Sequence, residues 1–196
     1  MSKQDWKPGN MLYPLPAVMV SVAGKEEGDP ANIITVAWAG TICTNPAMVS
    51  ISVRPSRYSY DLIKKHGEFV INLTTKELVK ACDICGVKSG RDVDKFKECN
   101  LTPCALSHCS APAIEESPVN IGCRVKQVLE LGSHHMFICE VTGVTVDERY
   151  MDETGKFELN DAELVTYSHG EYFSLGEKLG SFGYSVRKKK KKSGRK

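Results

Sequence analysis

Short, β-branched apolar runs fill the first half of this chain, and they constrain its fold more than any other feature. "PAVMVSVAG", Pro16 to Gly24, is a continuous apolar run closed by glycine, the signature of a strand buried on both faces. The charged segment "KEEGDP" reads as a turn, and "NIITVAW", Asn32 to Trp38, follows as a second strand. "AMVSISVR", Ala47 to Arg54, alternates. Met48, Ser50, Ser52 and Arg54 face one way, and Val49, Ile51 and Val53 the other. "EFVINL" adds another strand. Two long segments, "VNIGCRVKQVLELG" and "HHMFICEVTGVTV", flank the short "LGSHH" connection and predict a β-hairpin.

Helical patterns are fewer and shorter. Ser59 is placed to cap a helix through "YDLIKKH" that Gly67 ends, and "TKELVKACDICG" fits a second helix stopped by Gly86. "SGRDVDKFKECN" reads as a loop entering a short helix. "DETGKFELND" reads as a loop, "ELVTYS" as a short strand, and "GEYFSLGEKLGSFGYSV" as a glycine-punctuated C-terminal segment. With no internal repeat and no evident linker, the expected architecture is mainly β with peripheral helices: one antiparallel barrel over residues 1–186, followed by a basic tail, 187–196.

The 196 residues suffice for one domain with a sizeable core. The net charge of +2 is uneven. Eight basic and no acidic residues lie between Arg187 and Lys196; taking these from the 26 basic residues leaves 18 against 24 acidic, about −6 for the body. The tail reads as a solvated extension, and no folded nucleic-acid module accompanies it, so no specific nucleic-acid partner is expected. The polar start "MSKQDWKPGN" lacks a signal-type apolar stretch, and no apolar run is long enough to span a bilayer. The expected location is the cytoplasm, without membrane attachment. There the eight cysteines would be reduced thiols. Cys82 and Cys85 form a single C-x-x-C, but the later cysteines are irregularly spaced, so small core residues are the favoured reading and no metal site is assigned.

Fingerprints of other chemistries are missing: no G-x-G-x-x-G after a strand, no G-x-x-x-x-G-K-[ST], no H-E-x-x-H helix. His134 and His135 fall at a hairpin turn and His66 at a helix end, and no serine–histidine–acid spacing is recognisable, so hydrolysis is not expected. The chain does carry Ser52 and Arg54 at a strand end, then Ser56, Arg57 and Ser59 at a helix start. Hydroxyls, helix N-terminal N–H groups and guanidinium donors suit a phosphate monoester; a solvated helix cap is the plainer alternative.

"NIITVAWAGTICTNPAMVSISVRPSRYSYDLIKKHGEFVINL", with "SGRDVDKFKECNL" and "YFSLGEKLGSFGYSV", resembles the flavin reductase-like, FMN-binding split β-barrel family, most of all its flavoredoxin branch. The ordered series N-x-x-T-V-A-W, S-x-R-x-x-R-x-S and E-F-V-I-N carries the resemblance. It implies that Thr35, Val36, Ala37 and Trp38 lie along the isoalloxazine ring, and that Ser52, Val53 and Arg54 meet the pyrimidine side and ribityl chain. Ser56, Arg57, Tyr58 and Ser59 would grip the phosphate, and Asn72, Leu73 and Thr74 would complete the pocket. Lys88, Ser89 and Gly90, in the loop to Arg91, would approach flavin from a partner subunit, and His169 would stand near the ring edge. Trp38 could equally be a core aromatic. A single Pro46 and Cys43 depart from the usual family pattern.

The function so implied is electron transfer through noncovalent FMN in a homodimer with flavin near the interface. Transient NAD(P)H or a redox protein would supply electrons, and no side chain would act as catalytic acid or base. A non-catalytic carrier reduced by a protein such as ferredoxin is the alternative, and a flavin-free scaffold a further one.

Overall fold

The computed structural model describes residues 1–187; the rest of the expected basic tail, 188–196, lies outside the described residues. In chain order the strands are β1 (Leu15–Pro16), β2 (Val18–Val22), β3 (Asn32–Val36), β4 (Ala39–Cys43), β5 (Met48–Val53), β6 (Glu68–Leu73), β7 (Pro103–Leu106), β8 (Cys109–Ile114), β9 (Val119–Leu131), β10 (His134–Val146), β11 (Val165–Ser168) and β12 (Glu171–Ser174). The helices are α1 (Tyr58–His66), α2 (Val79–Val87) and α3 (Lys95–Glu98).

Seven strands form one antiparallel sheet in the order β3-β2-β6-β9-β10-β5-β4. Strands β3 and β4 are consecutive in the chain yet occupy opposite edges. Only Ala37 and Trp38 join them, and the three peptide links from Val36 to Ala39 span at most about 11 Å. The sheet must therefore curl until its edges nearly meet, which makes it a barrel with an open seam. Ser52 N donates to Trp38 O across that corner (2.9 Å).

The inside of the curl is filled by alternate residues of each strand, among them Val20, Ile34, Ile51, Phe69 and Phe137, with Leu62 and Ile63 of α1. The opposite face of β2, through Met19 and with Ala17 just before the strand, packs against α2, α3 and Ile114. Both faces of β2 are thus covered, which is why its sequence is an unbroken apolar run.

Several boundaries differ from those expected. The second strand stops at Val36 rather than Trp38 because the chain turns there into β4, an exposed edge strand whose Gly40 and Thr41 give no alternating signal. Arg57, not Ser59, is the N-cap residue of α1; Ser59 lies inside the first turn, where its Oγ accepts from Asn32 Nδ2 (2.7 Å). Gly67 does end α1, in the left-handed conformation (φ 67°). Helix α2 runs through Gly86 to Val87, because Gly86 is used for close approach to β3: a Cβ there would lie 3.2 Å from Thr35 Cβ. The cysteine-rich segment forms the β7–β8 hairpin, which covers the outer face of β6. In the long hairpin, Gly132 (φ 80°) takes the first turn position and fixes where His134 begins β10.

Asn72 points into the layer between β6 and β8 and is fully buried. Its Nδ2 donates to Met19 O and Ser21 Oγ (both 2.9 Å), and its Oδ1 accepts from Ile114 N and Asn120 Nδ2 (both 2.9 Å). The side chain joins four strands. Its donors and acceptors are already used inside the protein, so it is a structural hub and does not face the cleft described below. Replacing it with leucine strands several buried polar groups. We expect a loss of roughly 2–4 kcal/mol in urea unfolding, with an unchanged m-value.

Candidate functional site

The barrel seam opens into a cleft of about 450 Å3, within the usual range for cofactor sites. The curled sheet contributes the Thr35–Trp38 corner, Ser52, Val53 and Arg54 from the end of β5, Arg57, and His134 at the hairpin tip. The outer layer contributes Asp83, Gly86 and Val87 of α2, with Tyr167, Gly170 and Tyr172 of the β11–β12 hairpin and Tyr13 of the N-terminal arm.

Each wall is locked by long-range contacts. Thr35 Oγ1 donates to Cys82 O and ties the cleft floor to α2. The ring of His134 lies 4.0 Å, centroid to centroid, from that of Trp38, tilted by 53°, and His134 Nε2 accepts from Arg54 Nε (3.4 Å). Its Nδ1 lies 3.0 Å from Ser133 Oγ. Burial, then the charges of Arg54 and Arg57, hold the imidazole below its usual range. His134 is therefore a neutral acceptor that orients Arg54 at neutral pH. On the other wall, Tyr172 Oη donates to Asp83 Oδ1 (3.2 Å), and burial together with the nearby acidic groups raises the phenol, which keeps its proton. Tyr167 packs edge-on against Tyr172, with centroids 5.5 Å apart.

Of the residues singled out from the sequence, the cleft gathers Thr35, Val36, Ala37, Trp38, Ser52, Val53, Arg54 and Arg57. Ser56, in the turn before α1, and Tyr58, the first residue of α1, stand beside it. Arg91 Nη1 donates to Ser56 O (3.4 Å), and its guanidinium lies 5.3 Å from the Tyr58 ring centre. The 88–91 loop accordingly packs on its own subunit's Tyr58. Gly90 is required there, since a Cβ would come within 2.1 Å of Asn32 Oδ1. Lys88 pairs with Glu98, and Ser89 Oγ accepts from Arg91 N (3.2 Å). Ser59 and Asn72 are internal, as described. Leu73 packs in the barrel core, and Thr74 O accepts from Val165 N (3.1 Å); neither lines the cleft. His169 occupies the β11–β12 turn in left-handed backbone (φ 52°), its ring 5.8 Å from that of Tyr13, just outside the lining.

Sequence reasoning missed His134, Tyr172, Asp83 and Tyr13. Both histidines at the hairpin tip are engaged rather than merely exposed: His135 Nδ1 is 2.7 Å from Tyr60 Oη. Among the described residues no cluster of three metal-ligating side chains occurs.

Two arginines, a tilted aromatic pair and a cleft of this volume suit a planar, phosphorylated aromatic molecule. Residues 11–176 match the flavin reductase like domain. The chain belongs to that family. It is 32% identical over 163 residues to an uncharacterized protein of Archaeoglobus fulgidus, covering 83% of this chain and 89% of that one. Its structure is similar to the flavoredoxin of Desulfovibrio vulgaris, with a TM-score of 0.86 at 29% identity over 95% of this chain and 100% of that one. The flavoredoxin of Methanosarcina acetivorans gives 0.85 at 26% identity, with the same coverage. The fold is the split barrel of these proteins, and the chain is a redox flavoprotein of the flavoredoxin and flavin reductase type.

The environment of His134 gives a titration test. Its folded pKa lies below the unfolded value near 6.5, so the unfolded chain takes up this proton first as pH falls. Its contribution to stability is present above 6.5 and declines as pH drops through 6.5 toward the folded pKa. In NMR of the flavin-free protein, His134 should titrate below 6.5. Arg54→Gln should move the midpoint part of the way back up, because burial remains.

Proposed function

We propose that this protein holds FMN noncovalently in the seam cleft and passes electrons through it. The observation that carries the reading is that Arg54 and Arg57 both line a slot of flavin size whose other walls are mainly backbone and aromatic, with Asp83 the one acidic group among the described residues. The residues present fit the group. Arg54 and Arg57 would hold the phosphate by charge-assisted bonds, with Arg54 oriented by neutral His134. The Thr35–Trp38 corner and Ser52–Val53 would border the ring. The Tyr172–Asp83 pair offers a fixed dipole on the opposite wall, and Tyr13 and Tyr167 exclude water there. Bound flavin supplies reversible hydride and electron chemistry of its own, so the protein's part is to bind, orient and tune it.

A second copy of the chain completes this reading. Trp6, Met11, Leu12, Ile42, Val87, Phe173 and Leu175 are exposed apolar residues spread over the N-terminal arm, the β4 edge, the end of α2 and the C-terminal segment. Covering so many at once is what a homodimer interface does. Among the described residues no helix is long and apolar enough to cross a membrane, and the cytoplasm is the location we favour. Electrons would come from NAD(P)H docking transiently, or from a redox protein.

Arg54→Ala and Arg57→Ala should each weaken FMN binding about 10- to 100-fold, as expected for loss of one charge-assisted contact, while riboflavin affinity changes little. Isothermal titration with both ligands checks this. Equal losses for both would show that the arginines do not meet the phosphate, and wild-type FMN affinity in both variants would overturn the assignment. Anaerobic mixing with NADH, NADPH and reduced ferredoxin then separates a reductase from a carrier.

A further inference from the structure

The C-x-x-C spacing pairs Cys85 with Cys82, but the fold pairs it differently. Cys85 Sγ lies 3.9 Å from Cys99 Sγ, at the seam where the last turn of α2 meets the end of α3. Cys82, one turn earlier on α2, is sealed from solvent, and its carbonyl accepts from Thr35 Oγ1. Cys99 is only half-buried, so a small solute can reach one member of the Cys85–Cys99 pair.

The two sulfurs sit in a rigid frame. Lys95, buried on α3, donates from Nζ to Cys85 O (2.7 Å) and to Ile33 O (2.6 Å), which fixes α3 against both α2 and β3. The Lys88–Glu98 ion pair crosses the same seam. Thiols held this close by independent contacts need only side-chain rotation and a small shift of one helix end to meet.

We infer that Cys85 and Cys99 form a reversible dithiol–disulfide couple, oxidised by peroxide, that staples the α2 wall of the cleft to α3. The accessible Cys99 sulfur attacks one peroxide oxygen, giving a sulfenic acid and one water. The Cys85 sulfur then displaces the sulfenic hydroxyl: an S–S bond forms, the S–O bond breaks, and a second water leaves with the Cys85 proton. Peroxide is reduced by two electrons and the dithiol oxidised by two. Burial raises both thiols above their usual range, so at neutral pH the couple responds to sustained oxidant rather than to a brief pulse.

The staple bears on the cleft through two contacts. Gly86 and Val87, directly after Cys85, line it, and the closed segment from 85 to 99 includes Arg91, which braces Ser56 and Tyr58. Oxidation therefore stabilises the loop that backs the arginine-bearing turn.

The test uses the full chain, first reduced, then treated with hydrogen peroxide, alkylated, digested and mapped by mass spectrometry. A crosslinked peptide joining Cys85 to Cys99, lighter by two hydrogens and lost on dithiothreitol, is the expected result. Cys99→Ser should abolish it and Cys82→Ser should leave it. The thermal midpoint of the wild type should rise by about 5 °C on oxidation and return on reduction, with no shift in Cys99→Ser. Cys85 still free after peroxide, or joined to Cys82 instead, overturns the couple; a crosslink without a rise in midpoint overturns the staple.

Discussion

Everything in this protein depends on closing a seven-stranded sheet with a two-residue corner. Ala37 and Trp38 must bridge the first and last strands of the sheet, and the Ser52 N–H bond to Trp38 O secures them there. That demand curls the sheet, sets its apolar face inward as a core, and leaves a gap along the seam where backbone turns away from the ladder. A site at such a gap is cheap to build. The rigid strands on each side hold its walls, and the irregular corner supplies groups that no regular strand would present. The cleft is thus a consequence of barrel closure rather than an ornament on it.

The two walls answer different needs. The sheet side carries the fixed positive charge, Arg54 and Arg57, and a neutral imidazole that accepts from one of them without adding a third cation. The outer side carries a protonated phenol bonded to a carboxylate. Positive charge is concentrated where a phosphate can use it, and the remaining walls are mainly aromatic and backbone, with Asp83 the one acidic group among the described residues and that bonded to Tyr172. A slot of this kind binds an anion-tipped ring by position as much as by attraction. Helix α2 connects the two walls: it carries Asp83 and Gly86 into the cleft while its other face, through Cys82 and Cys85, packs in the outer core.

Much of the scaffold was legible because burial imposes a period. The doubly covered β2 reads as an unbroken apolar run, β5 as an alternation, and Gly67 as a helix stop. Strand β4 escaped because an exposed edge imposes no period, and β7–β8 because proline and cysteine mask a short hairpin. The sheet-side lining was readable from one contiguous stretch, residues 35–57. The opposite wall was not, since Tyr172 reaches Asp83 across 89 positions; on the sheet side itself His134 escaped for the same reason, reaching Arg54 across 80. Asn72 shows a different limit. A polar residue in a strand can equally face a ligand or satisfy the interior, and only the contacts of Ser21, Ile114 and Asn120 decide for the interior.

One titration addresses the central claim directly. Purified protein is stripped of any flavin, and FMN is added while its fluorescence is followed. If the seam cleft is a flavin site, emission should be quenched to saturation at one FMN per chain, and a bulky side chain at Gly86 should prevent it, because that position already abuts Thr35. Emission that stays at the level of free FMN, with no saturation at any protein concentration, would contradict the account.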